Sequence, residues 1–89
     1  MIRKEITICN KLGLHARAAA KFVTLASQFD SDIHLVRGQH RVNGKSIMGV
    51  MMLAAAQGTS LEIVACGGDE SEAGCRLAEL VSQRFGEAE

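Results

Sequence analysis

His15 is the residue of this 89-residue chain whose type and setting best suit a chemical reaction. It follows Gly13, which permits a sharp change of backbone direction, and it precedes a run with the apolar spacing of a helix. A helix N-terminus attracts anions through its free N–H groups and its dipole, and Arg17 adds a positive charge. A neutral imidazole placed there can attack phosphorus and carry a phosphoryl group. The alternative is a turn histidine beside a solvated arginine.

Ser46 lies at a second position of the same kind, where a turn leads into a predicted helix. The preceding run Asn43-Gly44-Lys45 has the composition of a turn, and serine is a favoured N-cap residue. We therefore predict that Ser46 caps a short helix from Ile47 to about Ala55. A phosphate on this side chain would be tolerated electrostatically at a helix N-terminus.

The predicted short helix is too apolar for all of it to be buried. Its few turns contain Ile47, Met48, Met51 and Met52. These are more large apolar side chains than one buried face of a short helix can hold. Methionine side chains adapt to more than one binding surface. We expect part of this helix to be exposed and to contact partners.

Two segments of the chain resemble the HPr family, the histidine-containing phosphocarriers of the bacterial phosphoenolpyruvate-dependent phosphotransferase system. The run Gly13-Leu14-His15-Ala16-Arg17 resembles the family's active-site motif, and Val42 to Met51 resembles its regulatory-serine region. The resemblance covers the whole chain. It implies that His15 takes a phosphoryl group from phosphorylated enzyme I and passes it to an enzyme IIA domain, with Arg17 as charge partner. The protein would then be a stoichiometric carrier and not an enzyme.

The resemblance also implies regulation and a docking face. In part of the family a serine kinase/phosphorylase modifies the residue that corresponds to Ser46. Enzyme I and the enzyme IIA domains would dock on the His15 corner and the short helix, for which the contact residues are predicted to be Leu14, Ile47, Met48 and Met51.

Ala18 departs from the family pattern, which usually has proline after the arginine. If His15 is the N-cap, Ala18 is the third helical residue, whose N–H commonly bonds to the capping side chain. Proline has no N–H. We therefore expect the Ala18 N–H to bond a His15 ring nitrogen at times in the resting protein, and to bond the phosphate after transfer.

Two other functions fit the same residues. One is the paralogous phosphocarrier of the nitrogen-related branch, although the segment from Gly44 to Met48 favours the sugar-type carrier. The other is a regulatory binding module that acts through Ser46 and the helix 47–52. The presence of His15 and Arg17 argues against this module as the main role.

Composition limits the partners and the setting of the protein. Ten basic and ten acidic residues cancel, so no basic field indicates a nucleic-acid partner. No apolar run approaches the roughly 18 residues of a membrane span, and the first residues lack the apolar core of a signal peptide. We expect a cytoplasmic monomer without a cofactor. Cys9, Cys66 and Cys75 match no metal-ligand spacing, so reduced, buried thiols and no metal are expected.

The order of predicted elements is βαββαβα in a single domain over residues 1–89. Alternating apolar residues predict a half-buried first strand, in which Lys4 is the discordant residue. Asp69 and Glu72 predict a capping box for the last helix. The predicted ranges are a strand over 2–8, a helix from about Ala16 to Gln28 or Phe29, a hairpin over 33–43, the short helix, a strand over Ser60–Cys66 and a final helix whose apolar stripe extends to Phe85.

This order predicts an α+β fold. Mixed strands and helices favour helices packed on one face of a largely antiparallel sheet. The resemblance implies the same arrangement, an open-faced β-sandwich with a four-stranded sheet and three helices on one face.

Overall fold

The computed structural model describes all residues from Met1 to Glu89. It has the predicted order of elements. They are β1 (Ile2–Thr7), α1 (Ala16–Ala26), β2 (Asp32–Arg37), β3 (His40–Asn43), α2 (Ile47–Met52), β4 (Ser60–Cys66) and α3 (Glu70–Ser82), followed by a tight left-handed turn (Arg84–Gly86).

The four strands form one open sheet in the order β1-β4-β2-β3. All three neighbouring pairs are antiparallel, and β2 and β3 form the predicted hairpin. The register places Leu61 beside Ile6 and Ile63 beside Leu35. The predicted fold class, an open-faced sheet with three helices, is confirmed.

The core lies between the helices and one face of the sheet. Because side chains alternate along a strand, Ile33 and Leu35 of β2 share that face with Leu61, Ile63 and Ala65 of β4. Burial stabilises an aliphatic or phenylalanine side chain of this size by about 1.5–3 kcal/mol. The buried side chains of α1 and α3 in this core are Ala18, Ala19, Phe22, Val23, Ala26, Ala73, Leu77 and Val81. The opposite face of the sheet carries polar groups such as the Arg3–Glu62 ion pair, with an N–O distance of 2.7 Å.

The helices end earlier than the sequence predicts. α1 ends at Ala26 and α2 at Met52, where Ala54 has a left-handed φ of 49° that cannot continue a helix. α3 ends at Ser82. Phe85 lies beyond it, yet its side chain is fully buried in the same core. None of the helices has the length and the apolar character needed to cross a bilayer.

Asp69 does not form the predicted capping box with Glu72, since its side chain makes no cap hydrogen bond at the start of α3. It accepts instead from the backbone N–H groups of Asp30 (2.9 Å) and Ser31 (3.0 Å) and from the buried Ser31 hydroxyl. These bonds, led by the hydroxyl, hold the pKa of the Asp69 carboxyl below its usual range. They tie the loop after α1 to the start of α3.

The three cysteines are free, but the prediction that they are buried is wrong for two of them. Cys66 and Cys75 are exposed, because Cys66 is the last residue of β4 and Cys75 lies on the outer side of α3. Cys9 is half-buried, and its thiol donates to the carbonyl of Val81 at 3.2 Å.

Candidate functional site

Gly13 sets the corner from which the candidate site is built. Its φ of 69° is left-handed, which favours glycine. A Cβ at this position would lie 2.5 Å from the carbonyl oxygen of Ala55. The next residue, Leu14, donates its N–H to that same oxygen at 2.9 Å. The corner therefore packs directly against the segment that follows α2.

His15 is the N-cap residue of α1, as predicted, but its side chain does not cap the helix. The predicted bond between the Ala18 N–H and the ring is therefore absent. The ring hydrogen-bonds a distant part of the chain instead, through its Nε2 and Oε2 of Glu87. Nδ1 makes no hydrogen bond. The N–H groups of the first turn consequently remain open to an incoming anion.

Glu87 and Asn10 complete the surroundings of His15, and neither was predicted from the sequence. The amide nitrogen of Asn10 donates to the carbonyl of Gly13 at 2.8 Å and to Oε1 of Glu87 at 2.9 Å. Asn10 is fully buried. Glu87 is 72 residues from His15 along the chain, so no local pattern joins the two residues.

The carboxyl of Glu87 is ionised more readily than usual. The hydrogen bond from Asn10, followed by the one from His15, lowers its pKa, and partial burial opposes them. A lowered pKa in the folded state stabilises the protein above the pKa of the unfolded chain, and this contribution is lost as pH falls through the folded value. The charged form that contacts His15 is therefore the form present at neutral pH.

Arg17 lies in the first turn of α1, and its side chain is exposed. Its guanidinium is in no hydrogen bond or ion pair of the structure. It lines the same pocket, of about 640 Å³, as His15. The pocket is also lined by Lys11, Leu12, Glu87, Ala88 and Glu89. No group of His, Cys, Asp or Glu side chains is placed to hold a metal ion. The arrangement leaves a free cation beside an imidazole with one open ring nitrogen.

Ser46 is the N-cap of α2, as predicted. Its hydroxyl accepts a hydrogen bond from the N–H of Gly49 at 3.1 Å. The helix buries Val50 and exposes four large apolar side chains, of which Met48 and Met52 are the most exposed at 71% and 77%. The others are Ile47 and Met51.

Leu14 differs from its predicted role as a partner contact. Its side chain is only 6% exposed and belongs to the core, because the corner at Gly13 turns it inward. The neighbouring apolar residue Leu12 is 69% exposed. Leucine alone gives no signal for this difference, since the direction of each side chain depends on the turn.

Comparison with known proteins agrees with this geometry. The family model described as "PTS HPr component phosphorylation site" matches residues 2–83. The chain belongs to the HPr family. HPr proteins are the phosphocarriers of the phosphotransferase system, and phosphoryl transfer is accordingly the role of this chain.

Full-length relatives support the same assignment. The phosphocarrier protein HPr of Neisseria meningitidis serogroup A is 54% identical over 89 residues, which covers all of both chains. The crystal structure of HPr-C-His from Thermoanaerobacter tengcongensis superposes with a TM-score of 0.96 at 46% identity, again over all of both chains. A phosphocarrier protein NPr of Shewanella violacea is 40% identical over 87 residues, 98% of this chain and 96% of that one. The higher identity to HPr favours HPr over the nitrogen-branch paralogue.

Proposed function

We propose that residues 1–89 act as one phosphocarrier domain in which His15 accepts a phosphoryl group from phosphorylated enzyme I and donates it to an enzyme IIA domain. The observation that carries the proposal is the position of His15. Its ring stands at the N-terminus of α1 without capping it, and one ring nitrogen is free. A capping histidine would have used the N–H groups that an arriving phosphoryl group needs.

The chemistry follows from the free ring nitrogen. The lone pair of Nδ1 attacks phosphorus and forms the new N–P bond, while the bond to the donor breaks and the donor keeps its electron pair. The open N–H groups of α1 and the guanidinium of Arg17 stabilise the phosphoryl oxygens through charge-assisted hydrogen bonds. Because partner proteins deliver and remove the phosphoryl group, this chain needs no small-molecule substrate. It works as a stoichiometric intermediate and not as an enzyme.

The docking face that we propose for both partners combines the His15 corner with the exposed side of α2. Its apolar contacts are Ile47, Met48 and Met51, as predicted, together with Met52 and Leu12 in place of the buried Leu14. Large apolar side chains that remain exposed favour protein contacts. The hydrogen bond from the Leu14 N–H to the Ala55 carbonyl, at 2.9 Å, joins the His15 corner to the segment that follows α2.

The protein acts as a monomer in the cytoplasm in this proposal. The edge strands β1 and β3 are poor templates for pairing with a second copy. β1 exposes Arg3, Lys4 and Glu5, and β3 exposes His40 and Arg41. Sedimentation or light scattering at micromolar concentration tests the monomeric state.

Ser46 is the proposed site of regulation by a serine kinase/phosphorylase. It is half-buried at the N-terminus of α2, next to the proposed contacts Ile47 and Met48. A phosphate there would add charge to the docking face without entering the core.

Incubation with enzyme I and labelled phosphoenolpyruvate tests the proposed acceptor. We expect one acid-labile, base-stable phosphate per chain, because an N-phosphoryl group is lost readily once the ring is protonated. His15→Ala should abolish the labelling. His34→Ala and His40→Ala are matched controls, since these histidines lie on β2 and β3, and both should label normally. Normal labelling of the His15 variant would refute the assignment.

A further inference from the structure

Glu87 is the only side chain that contacts the His15 ring through a hydrogen bond. Its two carboxylate oxygens have different partners. Oε2 meets Nε2 of His15, and Oε1 accepts from the buried amide of Asn10 at 2.9 Å. Asn10 also holds the carbonyl of Gly13 at 2.8 Å. One hydrogen-bonded chain thus runs from the corner at Gly13 to the imidazole.

The segment that carries Glu87 is held against the core and α1 by the residues that precede it. Three successive residues, Arg84, Phe85 and Gly86, have left-handed φ values of 58°, 54° and 79°, which reverse the chain after α3. The ring of Phe85 is buried in the core, and its carbonyl accepts from Nζ of Lys21 on α1 at 2.7 Å. Residues with a Cβ seldom adopt this conformation, so tertiary contacts must hold Arg84 and Phe85 in it.

We propose that Glu87 is a positioning residue for phosphoryl transfer. Its carboxylate keeps the ring hydrogen of His15 on Nε2, both before and after Nδ1 is phosphorylated. The inference rests on the proposed role of His15. A carboxylate that accepts from one imidazole nitrogen fixes the tautomer and leaves the other nitrogen as the nucleophile.

The proposed step balances without any proton transfer. Attack by Nδ1 forms the N–P bond and leaves the ring with a positive charge, while the Nε2 hydrogen stays bonded to Glu87. When the phosphoryl group leaves for the next protein, the N–P electron pair returns to Nδ1 and restores the same neutral tautomer. Glu87 therefore stabilises a phosphoryl group carried on an imidazolium ring. An imidazolium releases phosphorus more readily than a ring that has lost its Nε2 proton, because the leaving group is then neutral.

Other charged side chains lie near the His15–Glu87 pair, but none of them accepts a hydrogen bond from the ring in place of Glu87. Glu89 is two residues further along the same segment, and its carboxylate lies 3.7 Å from Nζ of Lys11. It makes no hydrogen bond or ion pair with the ring, so it is a matched control for the charge of Glu87. The charged groups around His15 and Glu87 are Arg17 and Lys21 on α1, Lys11 in the loop after β1, and Arg84 and Glu89 on the segment itself.

The unphosphorylated protein gives the first test, which does not depend on transfer. In ¹⁵N-labelled protein at low temperature, at a pH where the ring is neutral, we expect a protected Nε2–H signal for His15. It should persist in Glu89→Gln and disappear in Glu87→Ala, because the hydrogen then exchanges with water. Absence of the signal in the wild-type protein, or its persistence in Glu87→Ala, would overturn the proposal.

The phosphorylated protein gives the second test, with Glu87→Gln, which preserves the shape of the side chain and removes its charge. The lifetime of the phosphohistidine is measured as a function of pH. Without the carboxylate, the Nε2 hydrogen of the phosphorylated ring loses the negative charge that it faces, so the protonated ring is less favoured over the neutral one. At neutral pH and above, the lifetime should therefore lengthen about threefold, the size of effect expected for one partly exposed charge pair.

The control Glu89→Gln should reproduce the wild-type profile. A profile of Glu87→Gln that superposes on that of Glu89→Gln refutes the proposal. Failure of the proposed function appears differently, because the label would then be missing from His15 in the wild-type protein while the Nε2–H signal of the resting protein is unaffected.

Discussion

The corners at His15 and Ser46 have the same local form and different uses. Each places an extended N-cap residue before a helix, α1 in one case and α2 in the other. The Ser46 hydroxyl bonds the N–H of Gly49 and so satisfies its own helix. The His15 ring leaves its helix uncapped and bonds Glu87 from a distant part of the chain.

This difference separates a structural cap, Ser46, from the proposed phosphoacceptor, His15. A side chain that caps a helix uses up a donor of the first turn and contributes typically about 1 kcal/mol to stability. A side chain held by a tertiary contact leaves those donors to a ligand. The His15 corner therefore depends on the fold around it, whereas the Ser46 corner is maintained within one turn of α2.

Gly13→Ala should have the largest effect, because it breaks the tertiary support of the His15 corner. The new Cβ would lie 2.5 Å from the carbonyl of Ala55. Left-handed strain and loss of the bond from Leu14 together cost roughly 2–3 kcal/mol. Urea denaturation should show this loss, and labelling by enzyme I should slow.

Gly38→Ala is the control for this prediction. Gly38 also has a left-handed φ, of 59°, but no atom lies within 4 Å of its added Cβ. The substitution should therefore cost only about 1 kcal/mol of unfolding free energy. Equal losses in the two variants would contradict a corner set by packing.

Substitution of Ser46 should have an intermediate effect and separate capping from docking. Ser46→Ala removes the bond from Gly49 and should cost about 1 kcal/mol of unfolding free energy, with labelling of His15 unchanged at saturating enzyme I. Ser46→Asp keeps a capping oxygen and adds a favourable charge at the helix N-terminus, so its melting temperature should hold or rise slightly. Its labelling at limiting enzyme I should be slower than that of the wild type. An unchanged rate would remove Ser46 from the proposed docking face.

Ala18→Pro should have the smallest effect, and it sharpens the comparison at the His15 corner. Because the Ala18 N–H does not bond the ring, replacing it should change the rate of phosphorylation less than twofold, or below about 0.4 kcal/mol. The same N–H remains a donor for the bound phosphoryl group, so the lifetime of the phosphohistidine should shorten by about twofold, the low end for one hydrogen bond. A faster phosphorylation of the variant would show that the amide competes for the ring after all.

The sequence by itself predicted those features of the structure that depend on residues close together along the chain. Alternation along β2 and β4, helical spacing in α1 and the serine before α2 specify local conformation, because each acts within one or two turns of the chain. The run from Gly13 to Arg17 likewise indicated the candidate site, and its resemblance to the HPr motif implied the proposed chemistry. The element order then restricted the fold to helices on an antiparallel sheet.

The tertiary structure decided which side chains meet. Asn10 and Glu87 reach His15 only because the residues after α3 turn back toward α1. The buried Phe85 holds this turn in place, and its carbonyl accepts a hydrogen bond from Nζ of Lys21. The same packing buries Leu14 and exposes Leu12, although both residues are leucines and lie only two positions apart. Contacts across 72 residues leave no periodic or local pattern in the sequence, since they depend on where the whole chain brings its last residues and not on the residues beside them.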